Sequence, residues 1–155
     1  MTLQARTKKT IAALSVVALV AAGGLAAVVT VLVHDAPETL PTVTAYAHYK
    51  SVDVHAGVCD ANLACAGLEV ANLSVPEGQP LQLSLPKDVS NSDWRLNVQI
   101  GNPKTGEVFN GYRDYTPGEA AAVTVPSGKD EQLLGVVIQL PTDGGLAPVW
   151  AVQTF

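Results

Sequence analysis

The chain has 155 residues, with nine Lys and Arg against fourteen Asp and Glu, a net charge of −5. Its length allows one folded domain beside a short extension, and 48% apolar against 15% charged residues excludes a disordered chain. Thirteen glycines without a period and two cysteines exclude collagen-like and disulfide-dense classes, and the acidic balance excludes a nucleic-acid binder, which needs a basic footprint.

The charge is unevenly placed. Residues 1–33 carry Arg6, Lys8 and Lys9 and no acid, whereas residues 34–155 hold the other six bases against all fourteen acids. Residues 1–10 read as a basic cytoplasmic segment. Ile11 to Val33 is an uncharged run of Ala, Val and Leu in which Ser15 and Thr30 are the only hydroxyls. As a helix it would be about 34 Å long at 1.5 Å per residue, enough for a bilayer core of about 30 Å. It has no polar face, which a soluble amphipathic helix requires. Basic residues before the run and His34, Asp35 and Glu38 after it orient the N-terminus inward, with the rest of the chain outside the cytoplasm. Residues 11–33 are therefore expected to be an uncleaved single-pass anchor in the plasma membrane. A cleaved signal peptide, giving a secreted domain, is the alternative. Against it, the apolar run resumes at Val28–Val33, where a signal-peptidase substrate turns polar.

Residues 34–41, with Pro37 and Pro41, form a short stiff tether. From residue 42 onward apolar residues recur at period two, the mark of half-buried strands. Predicted strands cover Thr42–Tyr49, Ser51–His55, Leu81–Leu85, Trp94–Ile100, Val123–Val125, Gly135–Leu140 and Val149–Phe155. Glu77-Gly78, Asn102–Gly106, Pro117-Gly118, Ser127-Gly128 and Asp143–Gly145 supply turn chemistry between them. Residues 42–155 are expected to fold as a mainly β, immunoglobulin-like antiparallel β-sandwich of seven or eight strands, with Trp94 buried at the start of a central strand. Cys59 and Cys65 enclose five residues. Outside the cytoplasm they should form a disulfide, a local staple contributing about 2 kcal/mol.

The pattern offers little chemistry. His48 and His55 are seven residues apart and would meet only across a hairpin at Tyr49-Lys50. Asp88, Ser90, Asn91, Ser92 and Asp93 suggest a calcium loop, but the sixth and twelfth places hold Asp93 and Gln99 where an EF-hand needs Gly and Glu. A capped turn is the simpler reading. No nucleophile elbow, zinc-protease motif or phosphate loop is present, so no catalytic, cofactor-binding or metal-binding residue is assigned. Phe109, Tyr112, Arg113 and Tyr115 lie in a turn-rich stretch expected at the surface, and Tyr and Arg are enriched at binding hot spots. They are the candidate partner-binding residues, with Tyr46, His48 and Lys50 as an alternative strip.

Several phrases resemble a family of actinobacterial exported proteins known as domain of unknown function 2771. They are VTAYAHYKSVDV (43–54), the Cys59/Cys65 pair, LQLSLPKDVSNSDWRL (81–96), TPGEAAAVTVP (116–126), LLGVVIQLPTDG (133–144) and the closing VWAVQTF. The resemblance implies an envelope protein of a mycolic-acid-producing Gram-positive bacterium, and carries no catalytic residue with it. Many members look lipid-anchored or secreted; this chain has no Cys before position 59, so the helix itself would be its anchor. The expected function is a non-enzymatic accessory or interaction module held outside the membrane, with an envelope or membrane protein as partner. The alternatives are an envelope lipid- or glycan-binding protein and a hydrolase with an unrecognised site.

Overall fold

Alternation of apolar and polar residues lets a strand bury one face, and two such faces must close on each other. A computed structural model describes residues 39–60, 62, 64–141 and 145–155. The expected cytoplasmic segment 1–10, the expected anchor 11–33 and the expected tether up to residue 38 lie outside the described residues, as does the 142–144 part of one expected turn. Among the described residues no helix is long and apolar enough to cross a membrane.

Eleven strands and one short helix are described. They are β1 (Val43–Ala47), β2 (Lys50–Val54), β3 (Gly57–Asp60), β4 (Cys65–Ala66), β5 (Val70–Asn72) and β6 (Leu81–Ser84). The helix α1 (Lys87–Ser90) follows, then β7 (Trp94–Gly101), β8 (Val108–Tyr115), β9 (Ala122–Val125), β10 (Gln132–Gln139) and β11 (Leu146–Gln153). One sheet runs β2-β1-β6-β9; the other runs β4-β3-β11-β10-β7-β8. On the free side of β11, β3 pairs antiparallel with Leu146–Val149 and β5 pairs parallel with Ala151–Gln153, so the two short strands lie in series along one edge. All other pairs are antiparallel. The result is an open, sandwich-like arrangement within a compact unit from Leu40 to Phe155.

The core lies where the inner faces meet. Val43, Ala45 and Ala47 of β1, Leu81 and Leu83 of β6, and Val125 of β9 supply the smaller sheet's face. Trp94 and Leu96 of β7, Leu133, Val136 and Ile138 of β10, and Trp150 and Val152 of β11 supply the other. Trp94 is buried at 2% exposure and stacks on Tyr115, its cross-strand partner, with ring centroids 4.0 Å apart. Strand β7 is one in from the sheet edge, flanked by β10 and β8, and not central as its Trp suggested.

The strand count exceeds the seven or eight expected. Three of the additional strands, β3, β4 and β5, are two to four residues long, too short to show a period. The fourth, β8, has eight residues of which seven are exposed. A strand solvated on both faces has no reason to alternate, so its sequence reads as turn.

Cys59 and Cys65 form a disulfide across the β3–β4 pair. It joins neighbours within one sheet, and does not bridge the two sheets. Cys59, Ala147 and Val149 form a second buried cluster, against which Leu68 and Val137 pack. Leu68 closes so tightly over β3 that a Cβ on Gly57 would lie 2.4 Å from its Cα, so only glycine fits there.

Both tryptophans are fully buried, yet they differ. The indole N–H of Trp150 donates to the Pro41 carbonyl at 2.8 Å, while that of Trp94 has no partner. Trp→Phe at either position removes similar volume, but only at Trp150 does it break a bond. Trp150→Phe should therefore destabilise the domain by about 1 kcal/mol more than Trp94→Phe, measured by urea denaturation. Equal losses would show that the Pro41 contact contributes nothing.

Candidate functional site

Strand β8 determines the fate of the four candidate surface residues. Successive side chains of a strand point to opposite faces. Register places Phe109 opposite Ile100, Gly111 opposite Val98, Arg113 opposite Leu96 and Tyr115 opposite Trp94, all on the core-side face. Tyr112 lies opposite Asn97, on the outer face. The four residues thus form no single patch. Phe109 and Tyr112 are exposed at 58% and 68%, and Arg113 is also exposed. Tyr115 is buried at 5% under its stack with Trp94 and belongs to the core.

Each arginine of this region is already engaged. On the outer face Arg95 grips Asp114 with two bonds, Nε to Oδ1 at 2.6 Å and Nη2 to Oδ2 at 3.0 Å, and lies 4.4 Å from the Tyr112 ring centroid. On the other face Arg113 donates to Glu119 at 3.1 Å and lies over the Tyr115 ring. The Arg95 hydrogen bonds hold the Asp114 carboxyl below its usual value. Glu119 is held low first by the backbone N–H of Thr116, then by Arg113. These exposed pairs orient β8 rather than stabilise the fold strongly.

The alternative strip is also divided. Tyr46 lies opposite Ser51 on the wet face of the smaller sheet, while Lys50 lies opposite Ala47, whose face turns inward. The hairpin turns at His48-Tyr49, one residue before the expected Tyr49-Lys50. Both turn residues have positive φ, 44° and 65°, as a two-residue type I′ connection requires. Neither is a glycine or asparagine, and Tyr49 is 88% exposed. His48 precedes β2 and His55 follows it, so the length of that strand separates them. Among the described residues no three His, Cys, Asp or Glu side chains come together in a metal-ligating group. The Asp88–Asp93 stretch forms α1 and a turn in which the Ser92 hydroxyl donates to the Asp88 carbonyl at 2.9 Å.

Sequence reasoning missed the outer face of the larger sheet. A groove of about 550 Å³ lies there. Its floor is Gly135 and Val137 of β10 and Ala151 of β11; Tyr112 and Val70 stand on opposite sides. No side chain lining it carries a formal charge. A second depression of about 450 Å³ lies at the other end of the β7–β8 pair, beside the Arg95–Asp114 ion pair and Trp94. The groove had one legible signal. Residues Gly135–Ile138 are apolar on both faces, which an ordinary half-solvated strand is not.

Fold and surface together define a β-rich sandwich-like module with a solvated edge strand and an outer groove lined by uncharged side chains. Residues 36–153 match the family model described as protein of unknown function (DUF2771), so the chain belongs to that family. No curated protein and no solved structure matches it.

Two predictions follow from this geometry. A side chain in the left-handed region costs about 1–2 kcal/mol, so Tyr49→Gly should raise stability by about 1 kcal/mol in urea denaturation; a loss would mean that the Tyr49 ring makes a contact worth more than its strain. Asp114 and Glu119 are held ionised in the folded state, so their contribution is present at neutral pH and fades as pH falls through their lowered values. The urea midpoint should drop below the ordinary carboxylate range. Asp114→Asn with Glu119→Gln should flatten that drop, and an unchanged acid limb would assign it to other carboxylates.

Proposed function

We propose that this protein is a membrane-held accessory module that presents its β-domain outside the cytoplasm to an envelope or membrane protein, without catalysing a reaction itself. The uncharged 11–33 run with basic residues before it supports the anchor. The Cys59–Cys65 disulfide supports an oxidising compartment. On this reading the domain is an immunoglobulin-like variant, with two antiparallel sheets closing on a buried Trp, though its disulfide lies within one sheet.

The observation that carries the proposal is β8. It is the terminal strand of its sheet, eight residues long, and exposed from Val108 to Asp114. Soluble proteins blunt such edges with prolines, bulges or inward-pointing charge. Here the edge has no proline, its one core-side charge, Arg113, is paired with Glu119, and it displays Val108 and Phe109 at 51% and 58% exposure. An extended partner segment can add to such an edge, drawing affinity from main-chain hydrogen bonds and specificity from alternate side chains.

The test uses the tagged full chain in its own membranes. It should resist carbonate extraction and co-purify a partner after detergent solubilisation. Val108→Lys with Phe109→Lys should leave stability within about 0.5 kcal/mol and abolish that co-purification. Recovery of the partner at wild-type levels would move the binding face off β8, and release of the chain by carbonate would refute the anchor.

A further inference from the structure

Register across the larger sheet aligns the groove's side chains into two adjacent rows. One row crosses from Tyr112 through Asn97, Val137 and Ala151 to Val70. The other crosses from Asn110 through Gln99, Gly135 and Gln153 to Asn72. Strands lie about 4.8 Å apart, so each row is about 19 Å long. The first row is aromatic and aliphatic with a single amide. The second consists of four amides interrupted by one glycine; of the amides, Asn110, Gln99 and Gln153 line the groove and Asn72 lies just beyond it.

The glycine is structurally required and also shapes the surface. A Cβ on Gly135 would lie 2.9 Å from the Val152 carbonyl oxygen. Its absence leaves a notch in the middle of the amide row. The amides have spare bonding capacity. Gln99 donates to Asn110 at 3.2 Å, which leaves the Gln99 oxygen and the Asn110 nitrogen unused. Among the described residues the Asn97 and Gln153 side chains make no hydrogen bond at all.

We infer that this groove is a binding site for an uncharged oligosaccharide, laid across the strands with hydroxyls on the amide row and its C–H face on Tyr112 and the aliphatic row. Three properties select this chemistry. An amide both donates and accepts, as a hydroxyl does, whereas a carboxylate or phosphate only accepts and an ammonium only donates. No lining side chain carries a positive charge, so the groove, on a chain of net charge −5, offers an anion no counter-charge. Arg95 covers one face of the Tyr112 ring, and an aromatic face presents negative charge to the weakly positive C–H bonds of a sugar, so the sugar takes the opposite face. An acyl chain would fit the aliphatic row but would strip water from the amides without replacing its hydrogen bonds, a net cost. A peptide strand would run along the sheet edge, where main-chain groups are free, and not across a face.

The groove takes Asn110 and Tyr112 from β8 but is not lined by Val108 and Phe109, so the two readings can be tested apart. The probes are maltohexaose, cellohexaose and xylohexaose, with hexagalacturonate, decanoate and hexa-alanine as comparison ligands. The protein is the isotope-labelled full chain in a sugar-free amine-oxide detergent. At least one neutral hexasaccharide should shift the side-chain amide signals of Asn97, Gln99, Asn110 and Gln153 together, at a concentration at least tenfold below that needed for hexagalacturonate. Gln99→Ala with Gln153→Ala should weaken that binding at least tenfold, while Val108→Lys with Phe109→Lys leaves it unchanged. Absence of any shift with all three neutral sugars would overturn the inference. So would equal affinity for hexagalacturonate, or occupancy of the groove by decanoate or hexa-alanine in preference to sugar. A double variant that retains full affinity would also overturn it, and its amide spectrum reports whether it is folded.

Discussion

A small buried cluster of polar groups at the start of β10 fixes the geometry on which both sheets depend. There the ladder slips by one residue, with Leu133 facing Ile100 and Gly135 facing Gln99, so Leu134 is left over as a bulge. A bulge inside a protein leaves main-chain groups to be satisfied, and an unpaired buried group costs about 1–3 kcal/mol. The Ser127 hydroxyl accepts from the Leu133 N–H, the Thr154 hydroxyl donates to the Leu133 carbonyl, and the Thr154 N–H donates to the Leu134 carbonyl. Ser127 and Thr154 are two of only three buried polar residues among those described. Ser127 follows β9 of the smaller sheet and Thr154 follows β11 of the larger, so one cluster ties both layers to the bulge. The slip lets Leu133 turn into the core two residues before Gly135, which the unbroken ladders from Gly135 to Gln139 set between Gln99 and Gln153 on the outer face.

Much of the architecture was legible, and the reasons are physical. β1, β6, β7 and β10 bury one face, and Val43-Ala45-Ala47 and Leu81-Leu83 show that burial as alternation. The burial of Trp94 follows from the same periodicity. The disulfide was legible from two cysteines and one expected compartment. What escaped was whatever lacked a buried face or enough length. β8 is solvated on both sides, and β4 has only two residues. Turn identity was off by one residue because the His48-Tyr49 pair carries no glycine or asparagine to mark it.

The candidate surface was harder to read than the core. A list such as Phe109, Tyr112, Arg113 and Tyr115 looks contiguous in sequence, but a strand distributes its odd and even members to opposite faces. The groove is assembled from β5, β7, β8, β10 and β11, whose residues are scattered from Val70 to Gln153. Only the pairing register reveals that Asn110, Gln99 and Gln153 share a row. No local pattern encodes that adjacency, since it depends on which strands become neighbours and in what register.

The position of β11 also decides when this domain can form. It is the last of the described strands in chain order, yet it is the neighbour of β10, β3 and β5 at once. As a chain emerges N-terminus first, β3 and β5 have no sheet to join until β11 has appeared. The Pro41 carbonyl, at the very entrance to the domain, likewise waits for Trp150. Such sequence-distant closure is intrinsically slow, because the entropy of a long loop is lost before any contact compensates it. The Cys59–Cys65 bridge is different: it closes a six-residue separation and needs nothing downstream. Strands β3 and β5 therefore find their places only once the final strand is available, whereas the covalent loop between β3 and β4 can close before it.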